Sequence, residues 1–326
     1  MRRLQQFLAF CSALLCCVTF PGSAQQKSYA ERLGWGPRDK VVIFHIDDVG
    51  MSHDSNVGTI KSMEQGLATS CSIMMPCSWV PEFFHYLQQH PQVDAGLHLT
   101  LTSEWNEYRW GPLAGKTATP GLVDKEGCLW GNVGEVVQHA TADEVETEIR
   151  AQVDRAKTMG FDITHLDTHM GTVYATPEFL QRYVKVAMEE QIPVMVPAGH
   201  MQFIGADEAV RGPEARAQIQ ALGETLWNSG LPVLDDLYNE TYGWKKEEKV
   251  DNFIATLKEM RPGLTQFIIH ATEPMCNFSV ITTSSNTREG DMLAMLDPRL
   301  KQAIADQHII LTTWRELKQR RDQAGK

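Results

Sequence analysis

Seven short apolar runs, rich in β-branched residues, recur along the chain and are separated by longer amphipathic stretches. Runs of this length, apolar at nearly every position, are typical of strands buried on both faces, as in parallel sheets. The runs are VVIFHI (41–46), TSCSIMM (69–75), AGLHLTL (95–101), ITHLDT (163–168), IPVMVP (192–197), QFIIHA (266–271) and HIILTTW (308–314).

The stretches between these runs have helical patterns. The clearest is ADEVETEIRAQVDRAKTMG, with Thr141 or Asp143 as its N-cap and Gly160 after its end. Strands that alternate with helices predict parallel βαβ units. No linker or internal repeat divides the 326 residues. We therefore predict an α/β fold, namely a single-domain TIM-like (β/α) barrel over residues 25–326 that tolerates irregular strands.

The first 24 residues differ from the rest of the chain. Two arginines precede an apolar stretch too short to span a membrane comfortably, and the segment ends in Gly22-Ser23-Ala24. This pattern predicts a cleaved signal peptide over residues 1–24, export to the periplasm or the medium, and no stable membrane insertion afterwards. An uncleaved anchor is the alternative, but polar residues and a proline interrupt the apolar stretch.

The charge of the chain argues against a polyanionic partner. The formal net charge is −11, and loss of the two arginines of residues 1–24 makes it −13. Nucleic-acid binding needs clustered Lys and Arg to neutralise phosphates, and the sequence has no such cluster. We therefore expect no nucleic-acid partner.

Four of the seven cysteines lie after the predicted signal peptide, at Cys71, Cys77, Cys128 and Cys276. They form no C-x-x-C pattern, so a zinc knuckle is not indicated. In an exported protein one or two disulfides are compatible with this spacing, and the pairing stays open. Cys71 lies within a strand-like run and is expected to be buried and free.

Three segments place metal-ligand side chains at strand ends. Asp47 and Asp48 follow the first apolar run, His98 lies in the third, and His165 and His169 flank the end of the fourth. Adjacent carboxylates beside a buried strand are costly to desolvate unless a cation or hydrogen bonds compensate them. In a barrel, catalytic groups lie at the carboxyl ends of strands. These segments therefore predict one metal site.

Together these segments resemble the YdjC-like carbohydrate deacetylase family, which includes chitooligosaccharide deacetylases. The matching positions form four ordered blocks: Asp47-Asp48-Val49-Gly50 with Ser52, Asn56 and Gly66; Gly96, His98 and Thr102; His165, Asp167, Thr168 and His169; and His270, followed by Arg288, Glu289, Leu293 and Leu296. The resemblance covers most of the chain after the signal peptide. It implies a metal-dependent hydrolase that removes acetyl groups from N-acetylated carbohydrate.

The chain departs from the family pattern at two places. Met170-Gly171-Thr172-Val173 follows His169 where well-known members have further histidines. The late histidine begins the sequence His270-Ala271-Thr272-Glu273-Pro274 where the family often has His-Pro-Gly. Both changes bear on the identity of the sugar more than on the type of reaction.

Asp48, His98 and His169 form a two-histidine, one-carboxylate set for a divalent ion, with zinc, magnesium, manganese and cobalt all compatible. Such an ion lowers the pKa of bound water and polarises a carbonyl. Asp47 is then the candidate general base. His270 is the candidate general acid for the leaving amine.

Further residues are expected around this set. His165 and Asp167 are expected to orient the ligands, with Asp167 supporting His169. Trp105, Tyr108 and Trp110, in the loop after the His98 strand, are candidates for contact with the apolar face of a sugar ring. Packing of that loop onto the barrel is an equally weighted alternative for each aromatic residue.

Simpler interpretations compete with these assignments. The two aspartates are also compatible with a helix cap, and single histidines are commonly satisfied core residues. His45 shares a strand face with Asp47 but belongs to no motif, so it is left outside the predicted site. Two other functions stay open: a metal-dependent esterase or phosphoesterase, and a noncatalytic carbohydrate-binding barrel. Few basic residues in the motifs disfavour a phosphate substrate.

Overall fold

A computed structural model of the protein describes residues 27–207 and 210–325. The predicted signal peptide lies outside these ranges, so its cleavage and the export of the protein stay predictions. Within the described ranges, no helix is both long and apolar enough to cross a membrane.

Parallel strands form one seven-stranded sheet with the order β4-β3-β2-β1-β6-β5, and β7 pairs with the first half of β1. Six of the seven apolar runs contribute a strand, as predicted. The strands are β1 (Lys40–Val49), β2 (Ser70–Ile73), β3 (Ala95–Leu99), β4 (Leu166–Thr168), β5 (Asp236–Tyr238), β6 (Gly263–Ile269) and β7 (Ile310–Leu311).

The sheet curves into an incomplete barrel and is not a full eight-stranded TIM barrel, which corrects the more specific prediction. The run 192–197 forms no regular strand in the described structure. It makes two isolated parallel bridges, Val194 with Leu166 of β4 and Pro197 with Leu234 just before β5. Proline has no backbone N–H to donate to a ladder, and two of the six residues in this run are prolines. The two edge strands are thus joined only through irregular backbone.

β5 was not predicted from the sequence. It is three residues long, and the adjacent Asp235 and Asp236 interrupt its hydrophobic pattern. Both aspartates are buried because they accept backbone hydrogen bonds: Asp235 from Tyr29 and Ala30 at 2.7 and 3.0 Å, and Asp236 from the loop before α7. These hydrogen bonds allow two carboxylates to be buried at positions where a buried strand usually has apolar side chains.

Helices follow most strands and pack outside the sheet. They are α1 (Tyr29–Arg32), α2 (His53–Glu64), α3 (Val80–Gln89), α4 (Val133–His139), α5 (Ala142–Met159), α6 (Pro177–Glu190), α7 (Pro213–Asn228), α8 (Lys249–Glu259), α9 (Phe278–Ile281), α10 (Ser285–Leu296), α11 (Pro298–Asp306) and α12 (Trp314–Ala324). The predicted helix is confirmed as α5: Thr141 forms a capping box with Glu144, and Gly160 ends the helix at φ 87°.

β1 shows how the sheet divides the core. Val42, Phe44 and Ile46 belong to the large apolar cluster shared with the helices. The alternate residues Val41 and Ile43 belong to a second apolar cluster on the opposite face of the strand. Farther along that face the side chains become polar, beginning with His45. The concave face is therefore apolar at the start of β1 and polar at its carboxyl end, where the candidate site lies.

All four described cysteines are free thiols. Cys71 and Cys77 are buried, Cys128 is partly buried and Cys276 is exposed. The expectation of a buried, free Cys71 is confirmed, and the structure contains no disulfide among these four residues.

Candidate active site

The two adjacent carboxylates reach the same cavity because β1 contains a bulge. Between Ile46 and Val49 the strand has one residue more than its partner β2. Neighbouring side chains of a regular strand point to opposite faces, and a bulge re-aims one of them. Asp48 takes the left-handed φ of 65°. As a result, Asp47 and Asp48 both approach the ring of His98, at 3.9 and 3.3 Å from its Nε2 atom.

The backbone after the bulge is held by side chains of α2. Gly50, at φ 81°, donates its N–H to Asn56 Oδ1 at 2.8 Å. The N-cap of α2 is Ser52, whose hydroxyl accepts from the backbone N–H of Ser55 at 3.1 Å. The aspartate pair is therefore not a helix cap, and this simpler interpretation is excluded.

Asp48, His98 and His169 meet at the carboxyl ends of β1, β3 and β4 and are all buried. Asp48 Oδ1 lies 3.3 Å from His98 Nε2 and 3.2 Å from His169 Nδ1, and these two nitrogens are 3.3 Å apart. Bonds of about 2.0–2.1 Å to a tetrahedral ion place its ligand atoms about 3.3 Å apart. The spacing fits one small divalent ion.

The hydrogen bonds of the two histidines direct lone pairs to the same point. His98 Nδ1 lies 2.9 Å from Asp167, and His169 Nε2 lies 3.0 Å from Glu104. A neutral imidazole has one N–H, which each ring gives to its carboxylate. The remaining nitrogens then face each other and Asp48 with lone pairs only, which is repulsive without a cation. This donor chemistry fits a bound metal.

Protons compete with a metal for this site. Burial alone would lower the pKa of both histidines, but the surrounding carboxylates outweigh it, raising the pKa of His169 to about 9 and that of His98 well above its usual value. Burial would likewise raise the pKa of Asp48, yet Arg288 Nη2, 2.8 Å from Oδ2, keeps that pKa well below its usual range. Metal binding must therefore release protons.

Asp167 supports His98 and not His169, which corrects the sequence expectation. His98 and Asp167 are direct partners in the β3–β4 ladder, so their side chains lie side by side on one face. At His169 the corresponding place is taken by Glu104, from the loop after β3. Each candidate histidine ligand thus has its own supporting carboxylate.

Two further groups of ligand-type atoms lie nearby: His45 with His165 and Asp167, and Asp47 with His98 and Asp167. Both depend on Asp167, whose oxygens already accept from His98 at 2.9 Å and from His45 at 2.7 Å. Because both imidazoles already donate to Asp167, that carboxylate does not need an ion in either group.

Asp47 and His270 lie beside the three candidate ligands. Asp47 Oδ2 is 4.0 Å from His270 Nε2. Burial and the Arg288 guanidinium lower the pKa of His270 to about 3, although Asp48 opposes them, so the ring is neutral at neutral pH. Burial raises the pKa of Asp47 against the pull of nearby His98. The arrangement gives a basic carboxylate beside a neutral imidazole.

A buried ion pair holds the backbone of His270. Its N–H donates to Asp291 Oδ2 at 2.9 Å, and Asp291 Oδ1 accepts from Lys249 Nζ at 2.6 Å. The same ammonium donates to the carbonyl of Thr241 at 2.9 Å, next to Tyr242. Helices α8 and α10 therefore anchor the β6 end that carries His270.

His165 lies below the site and touches none of the three candidate ligands in the contacts of the described residues. Its ring stacks on Trp314 with centroids 5.1 Å apart, and it packs edge-on against His45 at 4.8 Å. Burial lowers its pKa well below the usual value. It shapes the floor beneath His45 and Asp167.

Gly96 is required by this packing. A Cβ atom at Gly96 would lie 2.5 Å from both Cε1 and the carbonyl oxygen of His165. The Gly-x-His spacing of the third run thus admits His165 beside β3, a purely steric requirement.

We expect Gly96→Ala to lower the free energy of unfolding by about 1–3 kcal/mol, because the added methyl must displace a ring and a backbone oxygen. Urea denaturation measures this loss. Gly131→Ala is the matched control, since its Cβ would meet only Glu135 Oε2 at 3.7 Å. Equal stability of the two variants would contradict the steric account.

The three predicted aromatic residues have different positions. Trp110 is buried and donates its indole N–H to the carbonyl of Thr102 at 2.9 Å, so it packs the loop. Tyr108 donates its hydroxyl to the carbonyl of Met51 at 2.7 Å. Trp105 is partly buried, packs edge-on against Trp110 and lies 5.9 Å from the Arg288 guanidinium. Of the three, Trp105 is placed best to border the site.

Sequence reasoning left out four residues that contact the site: His45, Glu104, Tyr242 and Arg288. Strand alternation already placed His45 beside Asp47, and Arg288 belonged to the last matching block. Glu104 is the acid next to the predicted aromatic loop residues. For Tyr242, which packs edge-on against His270 at 4.8 Å, the sequence carries no signal.

An incomplete α/β barrel whose strand ends bring together histidines and carboxylates defines a class of hydrolase-like proteins with a candidate metal site. The family model of YdjC-like proteins matches residues 41–306, and the chain belongs to this family. The predicted family is thereby confirmed.

Individual relatives agree with this membership. The chain is similar to a protein of Thermus thermophilus named carbohydrate deacetylase, with 30% identity over 89% of this chain and 97% of the relative. A carbohydrate deacetylase of Brevibacillus brevis is 26% identical over 85% of this chain and 99% of the relative. A crystal structure of an Enterococcus faecalis protein, described as a candidate for cellobiose-phosphate cleavage, superposes with a TM-score of 0.73, at 19% identity and over 86% and 99% of the two chains. That likeness supports the fold.

Proposed function

We propose that this protein is a metal-dependent hydrolase that removes acetyl groups from N-acetylated carbohydrate, either oligosaccharide or polysaccharide. The observation that carries the proposal is the convergence of ligand atoms from Asp48, His98 and His169, with Asp47 and His270 beside them. Family membership and the names of the relatives support the same reaction.

Asp48, His98 and His169 would hold one divalent ion, with zinc, magnesium, manganese and cobalt all compatible with these ligand types. Such an ion would lower the pKa of bound water and polarise the acetamide carbonyl. The residues of the chain supply the proton transfers.

Asp47 acts as general base and takes the proton of the attacking water, since its Oδ2 atom faces both His98 and His270. The amine product must gain a proton before it leaves. His270 is neutral, so it must first receive a proton in order to act as general acid. Asp47, 4.0 Å away, is the source that balances the reaction.

The opening of the site suits a sugar. Trp105 and Tyr242 both lie close to Arg288, with their ring centroids 5.9 and 5.5 Å from its guanidinium carbon. Tyr242 is 39% exposed. Aromatic faces beside polar groups bind the apolar C–H face of a sugar ring. The rival phosphate substrate is disfavoured because Arg288 is buried and already paired with Asp48.

Acetate release tests the proposal directly. Purified protein is incubated with N-acetylglucosamine oligomers, O-acetylated xylan and p-nitrophenyl phosphate, before and after EDTA treatment and re-addition of each metal. We expect acetate from the N-acetylated oligomers, its loss with EDTA and its return with one or more metals. Phosphate release alone would overturn the reaction assigned, and sugar binding without release would indicate a noncatalytic barrel.

His270→Ala should impair amide hydrolysis at least about tenfold more than hydrolysis of a p-nitrophenyl ester. An amine leaves only when protonated, whereas p-nitrophenolate leaves without help. Rates on both substrates measure the difference, and a thermal melting curve reports on folding. His85→Ala, at an exposed histidine of α3, is the control. Equal losses on both substrates would leave His270 with a structural role alone.

A further inference from the structure

Beneath Asp47 lies a histidine that belongs to none of the family blocks. His45 is fully buried. Its Nε2 atom hydrogen-bonds Asp167 Oδ2 at 2.7 Å, lies 3.0 Å from the hydroxyl of Ser72, and forms an ion pair with Asp47 Oδ1 at 3.2 Å. The other oxygen of Asp167 accepts from His98 Nδ1 at 2.9 Å. His45 therefore contacts both the proposed base and the carboxylate that orients a proposed metal ligand.

The hydrogen bonds of His45 define its protonation. Its Nδ1 atom is 3.0 Å from Ser70 Oγ, and Ser70 donates its own hydrogen to Asp94 at the short distance of 2.6 Å. The Ser70 oxygen must then accept from Nδ1–H. Nε2 lies 2.7 Å from an acceptor-only oxygen of Asp167 and 3.2 Å from a second carboxylate oxygen, of Asp47, so it must also carry a hydrogen. His45 is thus an imidazolium.

The charges around His45 agree with this assignment. Burial would lower the pKa of His45, but the hydrogen bonds and charges of Asp167 and Asp47 raise it to about 9. The wider site contains two more carboxylates, Asp48 and Glu104. Arg288 and a divalent ion would balance three of these four negative charges. The His45 imidazolium supplies the fourth positive charge, and an unbalanced buried charge would be costly.

We propose that His45 is a positioning residue that fixes the orientation of the Asp47 carboxylate by holding its Oδ1 atom. The Oδ2 atom is then left facing His98 and His270, where the proton must be taken. This inference rests on the proposed function, in which Asp47 is the base. It gives the reaction a residue that touches neither metal nor substrate.

His45→Asn tests this role by kinetics on an N-acetylglucosamine oligomer. We expect kcat to fall about tenfold to a hundredfold, as for outer partners of metal sites, with metal content unchanged. KM should stay within about twofold of the unmodified value, because the change acts on the orientation of Asp47 and not on sugar binding.

His200→Asn is the matched control. His200 is a mostly buried histidine, 3.5 Å from Asp236, and it packs beside Gly263 at the amino end of β6, away from the site. We expect its kcat and KM to match those of the unmodified protein. A lower melting temperature in His45→Asn with kcat unchanged would overturn the positioning role.

Nitrogen-15 NMR of the unmodified, metal-loaded protein tests His45 independently of any activity. Two protonated ring nitrogens at pH 7.5, assigned by their disappearance in His45→Asn, are expected. A single protonated nitrogen would overturn the inference even if acetate is released. If no substrate is deacetylated, the proposed function fails, while the NMR result still decides the state of His45.

Discussion

Asp47→Asn should lower turnover by about two to four orders of magnitude, the usual size of a general-base effect. The amide keeps the size of the side chain and removes the basic oxygen, so the fold and the metal content should be retained. Rates at saturating N-acetylated substrate, with metal content measured on the same sample, give the comparison.

The control for Asp47→Asn is the same change at an exposed carboxylate, Asp154 of α5. It alters the net charge equally and should leave turnover within about twofold, because exposed charges are well screened. If Asp47→Asn retains near-normal turnover, Asp47 has no part in the proton transfer, and the base must be sought elsewhere in the site.

His98→Ala should abolish most metal binding. It removes one of the three proposed protein ligands and leaves the buried Asp167 with only one of its two imidazole partners, His45. We expect bound metal to fall from about one ion per chain to less than about a fifth of that after dialysis, since fewer ligands hold the ion. Metal analysis of the purified variants measures the change, with activity as a second readout.

Two controls accompany His98→Ala. His85→Ala removes an exposed histidine and should keep the metal content of the unmodified protein. EDTA should lower the melting temperature of the unmodified protein but have little effect on His98→Ala, because a ligand stabilises only the form that binds it. Unchanged metal content in His98→Ala would show that His98 is not a ligand.

The sequence allowed secondary structure to be predicted wherever burial produced a periodic pattern of apolar residues. The strand runs, helix α5 and the three strand-end motifs were predicted because apolar spacing and caps are local properties. The run 192–197 has strand composition, yet its prolines prevent a regular ladder. β5 could not be predicted, because the burial of the acids at its start depends on backbone groups that are distant in the sequence. Asp235, for example, accepts from the N–H groups of Tyr29 and Ala30.

The same distinction applies to the site. Asp48, His98 and His169 were predicted as a set, but the partner of each histidine depends on strand register. No local pattern states that Asp167 lies beside His98 or that Glu104 turns back towards His169. Nor does spacing reveal that Lys249 and Asp291, 42 residues apart, form the ion pair behind His270.

The bulge in β1 has a consequence for comparing this protein with its relatives. Asp47 and Asp48 are chemically identical, and the backbone between Ile46 and Val49 alone distinguishes the proposed general base from the proposed metal ligand. Conservation of an acidic pair is therefore insufficient to transfer these roles to another chain. The roles transfer only where the number of residues from the acids to the turn at Gly50 is the same, so a one-residue gap placed there by an alignment would exchange base and ligand.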